Sequence, residues 1–263
     1  MQHTNLPAIE LNDDELFLYS RQILLDDWDL EAQQKLKNSQ VLIIGAGGLG
    51  CTSAEILARS GVGHMSIIDF DCIEISNLQR QIAFHHQHIG QSKALTLAKH
   101  LQEINPHIEV VGLNQRFDAN IDLAWFSQFD VVLDGCDRFK TRYAVNTLCK
   151  QANIPLISAS AIGLQGQLLM LEGQSACYQC LFPIINEDEE QGSCATSGVL
   201  ASTPIVMASL QAHHTLLYLG LGQMPLREKI LLWNGQTMTQ KIVRFQHDEN
   251  CEVCKTFGNL VKT

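Results

Sequence analysis

Short apolar runs alternate with amphipathic stretches along the chain. Val41–Ile44 is continuously apolar and stopped by Gly45, the pattern of a strand buried on both faces of a parallel sheet. Gly48–Ser60 follows with helical spacing and closes at Gly61, and His64–Phe70 reads as a second strand. The alternation continues through a helix near Ser92–Glu103, strands near Ile108–Asn114 and Val131–Asp134, a helix at Lys140–Ala152 and a strand at Pro155–Ser160. Ahead of this series the residues up to about Pro7 look loose. A helical pattern begins at Asp13, and a second amphipathic piece covers Leu30–Leu36.

After Ala161 the pattern changes. Gln167–Leu171 reads as an added strand, Cys177–Cys180 as a tight knuckle and Asn186–Gln191 as an acidic loop. Val199–Leu221 then reads as a long helix, and Ile230–Trp233 and Thr239–Phe245 are strand-like. Strands alternating with helices predict an α/β fold with a doubly wound, mostly parallel, Rossmann-like sheet, here carrying a C-terminal extension. Neither an internal repeat nor a linker composition divides residues 1–263, so one domain is expected. Its parts are a helical arm (1–38), a nucleotide-binding core (39–160) and a C-terminal part (161–263).

Composition narrows the classes. With 46% hydrophobic and 17% charged residues, disordered, collagen-like and coiled-coil chains are excluded. Lys+Arg 18 against Asp+Glu 28 gives a net charge of -10, which offers no general positive surface to a nucleic acid. Val199–Leu221 carries Ser202, Thr203, Pro204, His213 and His214, so it reads as a core helix and no membrane span is expected. The acidic start (Glu10, Asp13, Asp14, Glu15) is unlike a signal peptide. Nine cysteines, two pairs of them in CxxC, suit a reducing compartment, and a cytoplasmic home is expected.

Gly45-Ala46-Gly47-Gly48-Leu49-Gly50 meets the G-x-G-x-x-G pattern between a predicted strand and helix, where backbone can approach a ligand and helix-end N–H groups favour anions. Asp69 ends the next strand and can accept both hydroxyls of a ribose. The competing reading of the glycines is close helix–strand packing. Ser76-Asn77-Leu78-Gln79-Arg80, followed by Gln81, and then Lys93 place two cations on loops at the same sheet edge. Those cations could meet a triphosphate in a chain without a Walker lysine, or be solvated surface charges. Asp134 and Asp137 fall at the end of the fourth strand. An acid there can hold magnesium, and Asp137 could equally cap the next helix.

Cys177, Cys180, Cys251 and Cys254 form two CxxC pairs and predict a closed, structural zinc site that staples the C-terminal extension. Cys51, Cys72, Cys136 and Cys149 are expected to be buried and inert. Cys194 sits on a polar loop before a long helix, where a thiol pKa can be lowered and reactive cysteines tend to occur. His85, His86 and His88 are explained by a polar loop.

The order R-Q-I-L-L (Arg21–Leu25), G-A-G-G-L-G, S-N-L-Q-R-Q, Lys93, Asp137, C-x-x-C, a loop cysteine followed by G-V, and C-x-V-C resembles the ThiF/MoeB family over about Asp13–Cys254. These are bacterial relatives of the ubiquitin-activating enzymes. The resemblance implies a nucleotidyltransferase that uses ATP and Mg2+ to adenylylate the C-terminal glycine of a small ubiquitin-like sulfur carrier, of ThiS or MoaD type, for thiamine or molybdopterin biosynthesis. Sulfur then comes from a separate donor, such as a cysteine desulfurase. It implies nucleotide binding at Gly48, Asp69, Ser76–Arg80 and Lys93, magnesium at Asp137, and a carrier-binding role for 161–263. Arg21 matches an arginine that reaches into the partner subunit's site, so a homodimer is implied. Cys194 matches the cysteine that links covalently to the carrier in ThiF-like members and is dispensable in MoeB-like ones. Arg138 departs from the asparagine usual after the magnesium aspartate, an extra cation that could strengthen ATP binding or point away from the triphosphate.

Two other readings compete. An NAD-dependent oxidoreductase would use the glycine turn and Asp69 equally, but leaves Arg80, Lys93, Cys194 and the four cysteines without roles. A non-catalytic adaptor for a ubiquitin-like protein is opposed by intact Arg80, Lys93 and Asp137.

Overall fold

The computed structural model describes residues 10–173, 175–184 and 198–257. The arm holds α1 (Asp13–Leu18), α2 (Ser20–Ile23) and α3 (Leu30–Lys37). Asn12 and Glu15 close a capping box on α1, and buried Glu15 pairs with Lys37, which fastens α1 to α3. Residues up to Pro7, expected to be loose, lie outside the described residues.

The core runs β1 (Gln40–Ile44), α4 (Gly50–Ser60), β2 (His64–Ile68), α5 (Lys93–Ile104), β3 (Glu109–Leu113), α6 (Leu123–Phe126), β4 (Val131–Asp134), α7 (Phe139–Ala152) and β5 (Leu156–Ile162). After it come β6 (Gln165–Leu171), α8 (Tyr178–Leu181), α9 (Ser202–Leu221), β7 (Lys229–Asn234), β8 (Thr239–Arg244) and α10 (Glu252–Phe257). The eight strands form one sheet in the order β3-β2-β1-β4-β5-β6-β7-β8, parallel from β3 to β5 and antiparallel beyond.

Both faces of the parallel half are covered, which is why β1 reads as an unbroken apolar run. Val41 and Ile43 pack with Leu36, Leu57, Leu97 and Met207 on one face, while Leu42 and Ile44 pack with Phe126, Val145 and Leu148 on the other. Helix α9 lies against α3, α4, β5 and β6, so this mostly apolar helix is a core element; among the described residues no helix is long and apolar enough to cross a membrane. Chain order reverses between β1 and β4, the switch point at which open α/β sheets place ligands.

Boundaries shift where long-range pairing decides them. The β5–β6 hairpin extends to Ile162 opposite Gln165, turning at Gly163 with φ +59, so β6 starts earlier than expected. Helix α9 starts at Ser202 and not at Val199, because Val199 pairs with Gly163 and the Thr203 hydroxyl donates to the Gly163 carbonyl. The Cys177–Cys180 knuckle is the single helical turn α8. The cysteine expectation holds for Cys51 and Cys149 only. Cys72 is exposed and Cys136 half-buried, because both stand just beyond strand ends, where the chain opens toward solvent.

A candidate nucleotide cleft and a four-cysteine site

The glycine turn is built by two different needs. Gly45 has φ +94, and a Cβ on Gly50 would fall 1.7 Å from the Gly45 carbonyl oxygen, so these two positions serve the turn itself. Gly47 and Gly48 instead line a cleft of about 350 Å³ at the switch point, where Gly48 faces Pro204 and the Arg80 stem. The Asp69 carboxylate locks the turn: Oδ2 accepts the Ala46 N–H at 2.7 Å and Oδ1 accepts the Asp71 N–H at 2.8 Å. Burial pushes the Asp69 carboxyl above its ordinary range, opposed by those two N–H donors and by the charge of Lys93.

Lys93 opens α5 and is buried, with Nζ 3.4 Å from Asp71 Oδ2. Arg80 donates to the Ser76 carbonyl at 3.1 Å, at the end of a turn held by Glu74 and buried Asn77. Gln81 lines the same wall, and its buried Oε1 has no hydrogen-bond partner among the described residues. An orphaned buried acceptor facing a cleft is a place for a ligand donor.

The two acids at the end of β4 have separate fates. Asp134 is fully buried: Ser158 and the Cys136 N–H donate to it, and Arg142 Nε stands 2.8 Å from Oδ2, an ion pair by proximity without an aligned N–H. Arg142 also donates to the Cys136 and Ala159 carbonyls, so Asp134 is spent on shaping the loop. Asp137 is exposed in the cleft, and Arg138 rather than Asp137 takes the N-cap position of α7. Of the two acids at the end of β4, Asp137 is therefore the one open to the cleft.

Gly45, Gly47, Gly48, Asp69, Asn77, Arg80, Lys93, Asp137 and Arg138 are thus brought to one cleft. Gly50 packs beneath the turn, and Ser76, Leu78 and Gln79 stand outside the lining. Arg21 is exposed on α2, away from the cleft of its own chain. Cys194 lies outside the described residues. Phe70, Gln81, Arg116 and Arg142 also line the cleft and were not predicted as site residues. Gln81 sits inside the quoted S-N-L-Q-R-Q motif and was within reach of the sequence.

The four predicted cysteines meet. Cys177 and Cys251 sulfurs are 3.6 Å apart, Cys180 and Cys254 3.6 Å, and Cys177 and Cys180 3.9 Å, with all four within 4.8 Å of one another. A tetrahedral zinc with bonds of about 2.3 Å needs sulfurs about 3.8 Å apart, so the donor set fits that ion. The Cys254 thiol beside Cys177 holds the latter down, to about 5, and is itself pushed up. A ready thiolate among thiols suits metal capture.

The ThiF family pattern matches residues 19–253. The sulfur carrier protein ThiS adenylyltransferase of Escherichia coli is 39% identical over 93% of this chain and 97% of its own length. The molybdopterin-synthase adenylyltransferase of the same organism is 36% identical over 93% and 98%. An adenylyltransferase and sulfurtransferase, MOCS3-1 of Drosophila pseudoobscura pseudoobscura, is 36% identical over 94% of this chain, which spans only 55% of that protein. Among solved structures, E. coli MccB with ATP superposes with a TM-score of 0.76 at 26% identity, covering 92% of this chain and 75% of that one.

Proposed function

The chain belongs to the ThiF family, and on that premise we propose that it is an adenylyltransferase that uses ATP to activate the C-terminal carboxylate of a ubiquitin-like sulfur carrier of ThiS or MoaD type. The observation that carries this reading is the convergence of Arg80, Lys93 and Asp137 around the glycine turn in a chain of net charge -10. The NAD reading gives those groups no work.

The reaction joins two anions. A carboxylate oxygen of the carrier attacks the α-phosphorus, the bond from that phosphorus to the α–β bridging oxygen breaks, and pyrophosphate leaves with the electron pair. Alignment and charge neutralisation are the main requirements, and no base is needed because the carboxylate is already ionised. Lys93 and Arg80 would neutralise the phosphates, Asp69 would accept ribose hydroxyls, and Gln81 Oε1 would accept a hydrogen bond from the substrate. Magnesium held by Asp137 would supply further neutralisation of the leaving pyrophosphate. Arg21, exposed on α2, would complete the site of a partner subunit in a homodimer. Zinc held by Cys177, Cys180, Cys251 and Cys254 would be structural, since four thiolates leave no open position. Cys194 would take the carrier in a covalent sulfur link, its sulfur attacking the acyl-adenylate carbonyl carbon as AMP leaves with the electron pair of the broken acyl–phosphate bond, and the sulfur of the thiocarboxylate would come from a separate donor, in the cytoplasm.

The test is ATP–pyrophosphate exchange with a purified ThiS-type and a purified MoaD-type carrier. One carrier should support exchange, and Lys93→Ala and Asp137→Ala should abolish it. Carrier-dependent exchange surviving both substitutions refutes the roles given to these residues. Cys194→Ala should leave exchange intact and stop sulfur transfer.

A further inference from the structure

Three strand ends deliver side chains to one point at the mouth of the cleft. Phe70 follows β2 directly after Asp69, Arg116 follows β3, and Arg138 follows β4. The Arg116 guanidinium carbon stands 4.0 Å from the centroid of the Phe70 ring and that of Arg138 stands 5.6 Å from it. Since β1 lies between β4 and β2, Arg138 reaches back past the glycine turn to arrive there. Neither arginine side chain has an ion pair or hydrogen bond among the described residues, although the chain is rich in carboxylates. Two like charges gathered on one 37% exposed ring, without an anionic partner, are poorly explained by folding alone.

Their position along the cleft says what they meet. In the proposed reading, on which this inference rests, phosphates lie by Gly47, Gly48, Arg80 and Lys93, and the ribose lies against Asp69. The base then extends beyond Asp69, toward Phe70 and the end of β3, where Gln115 and Arg116 line the wall. We infer that Phe70, Arg116 and Arg138 form the seat of the nucleobase, the planar guanidinium groups stacking on a purine. This moves Arg138 from the triphosphate, where its charge alone suggested it, to the base. A guanidinium plane stacks on a ring system and an ammonium does not, so lysine cannot replace either arginine in this role.

Calorimetric titration with AMP, ATP, CTP and inorganic tripolyphosphate separates the alternatives, with thermal melts confirming that the exposed substitutions leave the fold intact. Arg116→Ala and Arg138→Ala should each weaken AMP and ATP by the same factor, about 5- to 30-fold, leave tripolyphosphate unchanged and narrow the preference for ATP over CTP. Arg116→Lys and Arg138→Lys should be as weak as the alanine variants. The inference is overturned if the lysine variants restore ATP binding while AMP is indifferent to every substitution, which would make the two residues phosphate ligands. It is also overturned if no variant changes binding. A wild-type protein that binds no adenine nucleotide overturns the adenylyltransferase reading as well.

Discussion

The cleft at the switch point of the sheet and the four-cysteine site, carried by α8 and α10 against α7, treat their polar side chains in different ways. In the cleft, Asp137, Arg116 and Arg138 are exposed, Lys93 has a half-exposed partner at 3.4 Å, and Gln81 Oε1 has none. Beside the cysteines, most polar groups are committed to backbone, although the buried Asn146 Nδ2 has no hydrogen-bond partner among the described residues. Arg142, Asn146 and Lys150 stand four residues apart on one buried face of α7. Arg142 donates to the Cys136 and Ala159 carbonyls, Asn146 accepts the Tyr178 N–H, and Lys150 Nζ donates to the Ser175 carbonyl at 2.8 Å. One region leaves its charges open to the cleft, and the other spends them on holding α8 and its neighbouring loop to α7. Arg142 belongs to both, since it lines the cleft and also reaches the Tyr178 hydroxyl.

The severest challenge to that contrast is removal of the staple. The antiparallel end is thinly buried, with every residue of β8 exposed, and α10 packs against α7, so the cysteines are expected to be what keeps it there. Purified protein should contain one zinc per chain. Its removal by a chelator, or Cys251→Ser, should lower the melting temperature by about 10–20 °C and open residues 245–257 to protease. Zinc-free protein with an unchanged melt would end the structural reading of these cysteines.

Arg142→Met comes next and tests the shared residue. It leaves the Asp134 carboxylate buried without its cation, at a cost of about 3–5 kcal/mol in urea denaturation. Adding Asp134→Asn should recover at least about 1 kcal/mol, because the stranded charge is gone. A single variant as stable as the wild type would show that the pair does not hold the loop.

How far each region was legible follows from the range of its interactions. β1 and β4 are visible in sequence because burial on both faces forces contiguous apolar residues, and the glycine turn because backbone geometry at Gly45 and Gly50 excludes other side chains. The CxxC pairs are visible because a four-sulfur metal site imposes local spacing on the cysteines that could form it. What stayed hidden is non-local. Asp134 and Arg142 find each other through the β4–α7 connection, and Phe70 draws arginines from the ends of two other strands. Position alone therefore left both acids at the end of β4 as candidates for a metal, without showing that Asp134 is taken up by Arg142. The exposure of Cys72 and the half-burial of Cys136 were missed for the same reason: strand ends are read locally, but the cleft between them is made by sheet order.

The smallest effect on stability, and the one that sharpens the contrast most, is expected of Lys93→Met. Among the described residues its ion pair is with Asp71, which is about half exposed, so the pair contributes little, and a methionine fills the buried stem without stranding a charge. Unfolding free energy should stay within about 1 kcal/mol of the wild type, while carrier-dependent pyrophosphate exchange falls by about 100-fold or more. The substitution also bears on Asp69. Burial already raises that carboxyl, and Lys93 is one of the influences holding it down. Lowering the pH protonates Asp69 and weakens its acceptance of ribose hydroxyls, so AMP affinity should drop on the acid side. In Lys93→Met the drop should begin at a higher pH than in the wild type, because the ionised form has lost its cation. Coincident acid limbs in the two proteins would mean that Lys93 does not act on the ribose carboxylate, and a large loss of stability would mean that the cleft, like the staple, is holding the fold together.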